Sequence, residues 1–472
     1  MAATTTEQWN RMDELRGEVN QSISTRRIGL MKFRAIKARL AKSTPTPRDD
    51  SPIGVSRASH SITAAMSAKH SNMPDELLLD HLPPPTPANI PITTQGNFFY
   101  RDGERFLIKG VSYIPYSPTD KKTLVDPLCD AWLPELQKDI PLLRHLGLNS
   151  IFIRAADASN NHAQAMALLA SQGIYVLVTI FQHLQPPPAA PRHMTSFKPH
   201  SHHYPLYDPR TLAETLPLLD ELAVHPNLLG FVVDAGRVNN VAATRLAPAL
   251  RACIRDSKAF LRARRHRLIP VGIQASDIQQ LRLPRLAYFT AGLPSLRADF
   301  FALDSYSWCG PSSFRVSGWE HLVVALARTA PIPVLLAEYG SNTRRPRVWD
   351  EVLCLYSPDM TGVVSGGFVY TFMESGNAYG LVKVGADGDR VRTRDYEGLR
   401  KRFGEVGRRT MGEVVEEAEG RDYEGWMGEF PVCDARWLAT EDVPPFPAKW
   451  EEVMGWFAPD SDESHLATEE PT

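Results

Sequence analysis

Eight short apolar runs, separated by stretches with helical spacing, set the limits on what this chain can fold into. The runs are RFLIKGVSYIP (105–115), LNSIFIRA (148–155), IYVLVTIF (174–181), LLGFVVDA (228–235), LIPVGIQA (268–275), FFALDSYSW (300–308), PVLLAEYG (333–340) and GGFVYTF (366–372). Short apolar runs rich in branched and aromatic residues, bounded by Gly or Pro, read as strands buried on both faces, as in parallel sheets. Helix-like stretches lie between them, for example WLPELQKDIPLLRHLG (132–147), AQAMALLASQG (163–173) and ATRLAPALRACIRDSKAFLRAR (243–264). Eight strands alternating with helices predict a (β/α)8 TIM barrel. An open doubly wound sheet is the competing arrangement. No G-x-G-x-x-G follows an early strand, which favours the barrel.

The texture changes on either side of this block. In the N-terminal segment 1–42, residues 7–42 predict an amphipathic helix with a basic second half (Arg26, Arg27, Lys32, Arg34, Lys37, Arg39, Lys42). It reads either as a partner-binding or membrane-surface helix or as a solvated one. Residues 43–92 are rich in Ser, Thr and Pro with few aromatics, and read as a disordered linker. The barrel is expected over 93–403. The acidic extension 404–472 carries Trp426, Trp437, Trp450 and Trp456. Exposed Trp is costly, so packing on the barrel is favoured over a partner-binding role.

Bulk properties remove several function classes. A net charge of −2 gives no general basic field, so neither nucleic acid nor anionic membrane is an expected partner. No stretch reaches the ~20 apolar residues a transmembrane segment requires. The first residues lack the apolar core of a secretory signal, and DSDESHLATEEPT lacks a lipid-anchor tail, so a cytoplasmic or nuclear chain is expected. There is no CxxC or HExxH spacing, and no metal or cofactor is expected. The His-rich loop 183–204 has irregular spacing and no interleaved carboxylate, and it reads as an ordinary long loop rather than a metal site.

In a barrel, the chemistry sits where the strands end. Those ends give Tyr113, Arg154 with Asp157, Gln182 and His183, Asp234, Tyr306 with Trp308, Glu338 with Tyr339, and Tyr370 with Glu374. A carboxylate where a buried strand runs out, as at Glu338, is costly unless it is paired or used. The alternative is a glutamate that turns to solvent. Carboxylates set among aromatics suit carbohydrate, whose rings stack on aromatic faces and whose hydroxyls need acceptors. Retaining sugar chemistry requires two carboxyl groups about 5–5.5 Å apart. Glu338 is one candidate, and the other is not evident.

Residues from about 90 to 403 resemble the catalytic domain of the fungal β-1,3-glucanosyltransferases, glycoside hydrolase family 72. The resemblance runs in order through FLIKGVSY (106–113), KDIPLLRHLGLNSI (138–151), RRHRLIPVG (264–272), DFFALDSYSWCGPSSF (299–314), LLAEYGSN (335–342), DMTGVVSGGFVY (359–370) and NAYGLV (377–382). It implies a barrel that cuts an internal β-1,3-glucan bond and passes the new reducing end to another glucan, remodelling the cell wall. It implies Glu338 as nucleophile and Tyr306, Tyr370 and Tyr379 as lining of the glucan subsites. Tyr113, Trp308, Glu374 and Asn377 fall on family-like positions. With Asp157 and Tyr339 from the strand ends, they complete the expected substrate-binding set.

The departures carry as much information. Where the family has Gly-Asn-Glu, with Glu as acid/base, this chain has Asp234-Ala235-Gly236. Asp234 is left as a substitute acid. Tyr-Gln-Pro-Gly becomes Tyr113-Ile114-Pro115-Tyr116, and Ile-Arg-Val-Tyr becomes Ile151-Phe152-Ile153-Arg154. Leu136, Ala165, Ala291 and Ser341 stand where the resemblance implies Cys. All five cysteines are therefore expected to be free thiols. Loss of general acid catalysis typically costs ~10²–10⁴-fold. Impaired or lost transfer is expected, with a non-catalytic glucan-binding protein or a cytosolic scaffold as alternatives.

Overall fold

The computed structural model describes residues 84–117, 123–181, 207–234, 236, 238–408, 428–455 and 457. Each of the eight apolar runs contributes one barrel strand: β1 (Ile108–Tyr113), β2 (Ser150–Ile153), β3 (Tyr175–Ile180), β4 (Leu228–Asp234), β5 (Val271–Ser276), β6 (Phe301–Asp304), β7 (Val334–Tyr339) and β8 (Val364–Val369). All pair in parallel with their sequence neighbours, and β8 pairs with β1 to close the barrel. The intervening helices are α1 (Leu133–His145), α2 (Ala163–Ser171), α3 (Pro209–Ala223), α4 (Ala247–Ala263), α5 (Gln279–Thr290), α6 (Trp319–Thr329) and α7 (Asp350–Leu355), and α8 (Arg394–Arg408) follows the last strand. The (β/α)8 expectation holds.

Local signals explain the helix starts. Asp208 caps α3 by accepting from Thr211 N at 2.9 Å. Predicted from residue 243, α4 starts at Ala247; a 3-10 turn (Ala242–Leu246) precedes it and Pro248 lies in its first turn. The barrel interior is filled by Phe152, Tyr175, Leu177, Phe300, Leu335 and Phe368. A Cβ at Gly110 would lie 2.4 Å from the Phe368 ring, and one at Gly272 equally close to Phe300. Large rings fit the lumen because their neighbours carry no side chain.

A three-stranded antiparallel sheet (Ile92–Gln95, Phe98–Arg101, Glu104–Arg105) precedes the barrel and sends Phe99 against Phe300, ring centroids 5.6 Å apart. Residues of the C-terminal extension lie on α4 and α5. Trp437 is buried beside Tyr288, whose hydroxyl donates to Thr440 O at 2.8 Å. Trp426, Trp456, the predicted helix 7–42, most of the linker 43–92, and the loop 183–204 with Gln182 lie outside the described residues.

One buried charge cluster ties the mouth loops together. His162, at the head of α2, is fully buried between Asp126 Oδ2 (2.9 Å from Nε2) and Glu221 on α3. Burial opposes the imidazolium, but the hydrogen bonds and charges of the two carboxylates prevail and raise its pKa to about 9. A raised pKa stabilises the fold fully below the unfolded value of ~6.5, and that stabilisation fades as pH rises through about 9. The melting temperature is expected to fall by several degrees between pH 6.5 and 9.5, and His162→Gln should flatten this slope. An equal slope in the variant would contradict the assignment.

Candidate active site

Glu338 is the penultimate residue of β7, with its Cα paired to Asp304 of β6 across a register shift between Leu336 and Glu338. Such a break in register re-aims a side chain. Here the carboxylate turns into the barrel mouth. Its Oε2 accepts from Tyr306 OH at 2.8 Å, and its Oε1 forms an ion pair with Arg154 Nη2. Arg154 Nη1 donates to Gln274 Oε1 at 2.8 Å, and Gln274 Nε2 donates to Asp304 Oδ1 at 2.7 Å. The result is a string of side chains from β2, β5, β6 and β7.

The electrostatics follow from crowding. Burial, then the Glu338 charge, push Asp304 up to about 8, although Arg154 and the Gln274 hydrogen bond oppose the shift. Burial works against the Arg154 charge, but the Glu338, Asp304 and Asp234 carboxylates outweigh it and raise its pKa. Burial and the adjacent Glu338 carboxylate push the Tyr306 hydroxyl up.

Beside Glu338 stand Tyr306, Tyr370 and Tyr379, with ring centroids 5.2–6.5 Å apart and mutually edge-on. Asn377 Nδ2 donates to Tyr370 OH at 3.3 Å. Glu374 serves this wall indirectly. Its carboxylate accepts from the backbone N–H groups of Gly376, Ala378 and Gly380 at 2.6–2.9 Å, organising the loop that carries Asn377 and Tyr379. Partial burial works against its charge, but those three donors hold its pKa below the ordinary value.

At the end of β4, the Asp234 carboxylate folds back onto its own turn. Oδ1 accepts from Gly236 N at 2.7 Å, and a Cβ at Gly236 would stand 2.9 Å from that same oxygen. Position 236 brings no carboxyl, and Asp234 occupies the space through which one would emerge.

Four of the expected substrate-binding residues are placed elsewhere. Tyr339 follows an inward Glu338, so alternation sends it outward, where it is fully buried facing Tyr356 and Glu351 under α7. Tyr113 is fully buried too, and its hydroxyl donates to Asp139 Oδ2 of α1 at 2.6 Å. Trp308 packs on Trp319 of α6 (centroids 5.1 Å) and is 5% exposed. Asp157 sits on an exposed turn after β2, accepting from Ser159 N at 2.9 Å. The structure brings together Glu338, Tyr306, Tyr370, Tyr379 and Asn377. It adds Gln274 and Asp304, which the sequence reading passed over. A polar residue inside the apolar run LIPVGIQA was the available signal for Gln274, and the i, i+2 spacing from Tyr306 was the one for Asp304.

All five cysteines are thiols. Cys309 Sγ lies 3.5 Å from Ser341 Oγ at the rim of the site. Ser341→Cys is therefore expected to form a disulfide with Cys309 under mild oxidation. Closing a loop of 32 residues stabilises by about 3–4 kcal/mol in the chain-entropy account. Peptide mapping without reduction checks the bond, and denaturant unfolding checks the gain; a variant that stays reduced would show that the side chains diverge.

Comparison with known proteins places this arrangement in context. The family model described as glucanosyltransferase matches residues 86–407. The chain is 37% identical over 315 residues to 1,3-beta-glucanosyltransferase gel1 of Aspergillus fumigatus, covering 66% of this chain and 65% of that one. It is 35% identical over 320 residues to 1,3-beta-glucanosyltransferase GAS5 of Saccharomyces cerevisiae, covering 67% and 62%. The chain thus spans just under two thirds of the length of these relatives. Among solved structures, Saccharomyces cerevisiae Gas2p in complex with laminaritriose and laminaritetraose superposes with a TM-score of 0.65 at 29% identity, covering 77% of this chain and 78% of that one.

Proposed function

From the premise that the chain belongs to the glucanosyltransferase family, glycoside hydrolase family 72, we propose that it binds β-1,3-glucan oligosaccharides against Tyr306, Tyr370 and Tyr379 and keeps only the nucleophilic half of retaining transfer. One observation carries this reading. The Glu338 carboxylate is held by Tyr306 and Arg154 among three tyrosines, whereas Gly236 brings no carboxyl and Asp234 is turned into its own loop. Glu338 attacks the anomeric carbon as the glycosidic bond breaks. The departing oxygen of a natural glucan needs a proton that no side chain at 236 supplies. An aryl leaving group departs as the phenolate and needs little protonation.

The test combines laminari-oligosaccharide binding, transfer on the natural glucan, and intact-mass detection of Glu338 glycosylated by an activated aryl laminarioside. Binding and slow labelling with background transfer are the expected outcome. Alanine at Tyr306, Tyr370 or Tyr379 should weaken binding by about 1–3 kcal/mol through lost apolar contact. Binding without labelling would favour a purely carbohydrate-binding protein. Neither binding nor labelling would favour a scaffold.

A further inference from the structure

The carboxyl groups of Glu338, Asp304 and Asp234 all act on Arg154. Arg285 approaches Asp304 from α5, but its guanidinium donates to Leu281 O and Ser276 O at the outer side of β5. Tyr306 contributes a hydroxyl, not a cation, to the Glu338 carboxylate. Arg154 therefore reaches across the mouth from the end of β2 to pair with Glu338 of β7.

Its place in the chain is new relative to the motif it resembles. The family's Ile-Arg-Val-Tyr has its arginine where this chain has Phe152. Residues i and i+2 of a strand share a face, so Arg154 projects to the same side about 6.6 Å nearer the mouth. The vacated position is filled by a ring. Phe152 is fully buried against Phe368, centroids 5.4 Å apart, and the Arg154 guanidinium lies 4.7 Å above it.

We propose that Arg154 is the positioning residue for Glu338, aimed from below by Phe152 and from the side by the Gln274–Asp304 pair. Arg154 and Tyr306 each take one carboxylate oxygen, which fixes both the rotation of the group and its distance from an anomeric carbon. The guanidinium also offsets the repulsion between the Glu338 and Asp304 carboxyl groups. Gln274 is suited to its place because it accepts from Arg154 and donates to Asp304 at once. This inference rests on the reading of Glu338 as nucleophile.

The experiment uses the full chain and an activated aryl laminarioside, following Glu338 labelling by intact mass in wild type, Arg154→Lys, Arg154→Met and Arg154→Ala. Misplacing a reacting group by about 1 Å can cost on the order of 10²-fold, so a loss of that size is expected in Met and Ala, with Lys retaining part of the rate. Added guanidinium chloride should restore labelling in Arg154→Ala and leave wild type unchanged. Oligosaccharide affinity should hold in all variants. Labelling by Arg154→Met at the wild-type rate, or no rescue by guanidinium with Lys no better than Met, would overturn the proposal. If wild type itself is never labelled, the nucleophile reading fails, and thermal melts then judge the pairing alone. Glu338→Gln should recover stability lost in Arg154→Met, because it removes the orphaned charge; strictly additive shifts would refute the coupling.

Discussion

Rewriting Asp234-Ala235-Gly236 as Gly-Asn-Glu is expected to raise transfer on unactivated β-1,3-glucan by roughly 10²–10⁴-fold, the usual contribution of a positioned general acid. The glutamate would stand at the end of β4, opposite Glu338 on β7, and supply the second carboxyl that retaining chemistry needs at about 5–5.5 Å. All three positions matter. A side chain at 236 would emerge 2.9 Å from the Asp234 carboxylate, which itself holds the Gly236 N–H. Gly236→Glu alone must displace that oxygen and place two carboxylates side by side, so it should recover much less. Product chain lengths, resolved by mass spectrometry after incubation with laminari-oligosaccharides, give the measurement. A triple variant that binds glucan and is labelled at Glu338, yet transfers no faster than wild type, would show that the proton comes from elsewhere. Asp304, pushed up to about 8, would then be the group to examine.

The barrel was legible because every strand is a short apolar run buried on both faces, and no run needed its partner to be recognised. That same burial hid the direction of each side chain. In PVLLAEYG nothing but the final Glu marks which residues face the lumen, so Tyr339 read as a site residue beside Glu338. Tyr113 misled in the same way, since both faces of β1 are largely buried and its partner Asp139 lies 26 residues on, in α1. Glu338, Tyr306 and Tyr370 were legible at the strand ends, the nucleophile role and Tyr379 came from the resemblance, and their proximity came only from the fold. Asp304, Gln274 and Arg154 meet across a closed barrel, and no linear pattern connects residues on β6, β5 and β2. Gly236 was noticed as a lost glutamate; that Asp234 fills the vacated space is a fact of three dimensions.

Arg347→Ala is expected to cost about 3–5 kcal/mol of stability, the range for breaking a buried ion pair from one side. Arg347 is 4% exposed and lies in the loop between β7 and α7. Its backbone N–H donates to Asp395 Oδ1 and its Nε to Oδ2, both at 2.8 Å. Nη1 donates to Gly340 O at 3.3 Å and Tyr370 O at 2.9 Å, and Nη2 donates to Tyr379 O at 2.7 Å. The guanidinium lies 4.1 Å over Trp349. One side chain thus fastens α8, through Asp395, to the chain just beyond Glu338 and to two tyrosines of the wall. Alanine leaves the Asp395 carboxylate without its guanidinium and removes one donor from each of three carbonyls. Arg347→Lys keeps the charge but not the planar fork, so it should recover only part of the loss. Arg347→Met/Asp395→Asn should be more stable than Arg347→Met alone, because it leaves no buried charge unpaired. Equilibrium denaturation measures each variant, and oligosaccharide affinity measured below the transition reports on the wall. A cost under about 1 kcal/mol, the size of an exposed ion pair, would mean that the network does not hold the mouth together. A full loss of stability with unchanged affinity would separate the two roles and leave Arg347 as a fastener of α8 only.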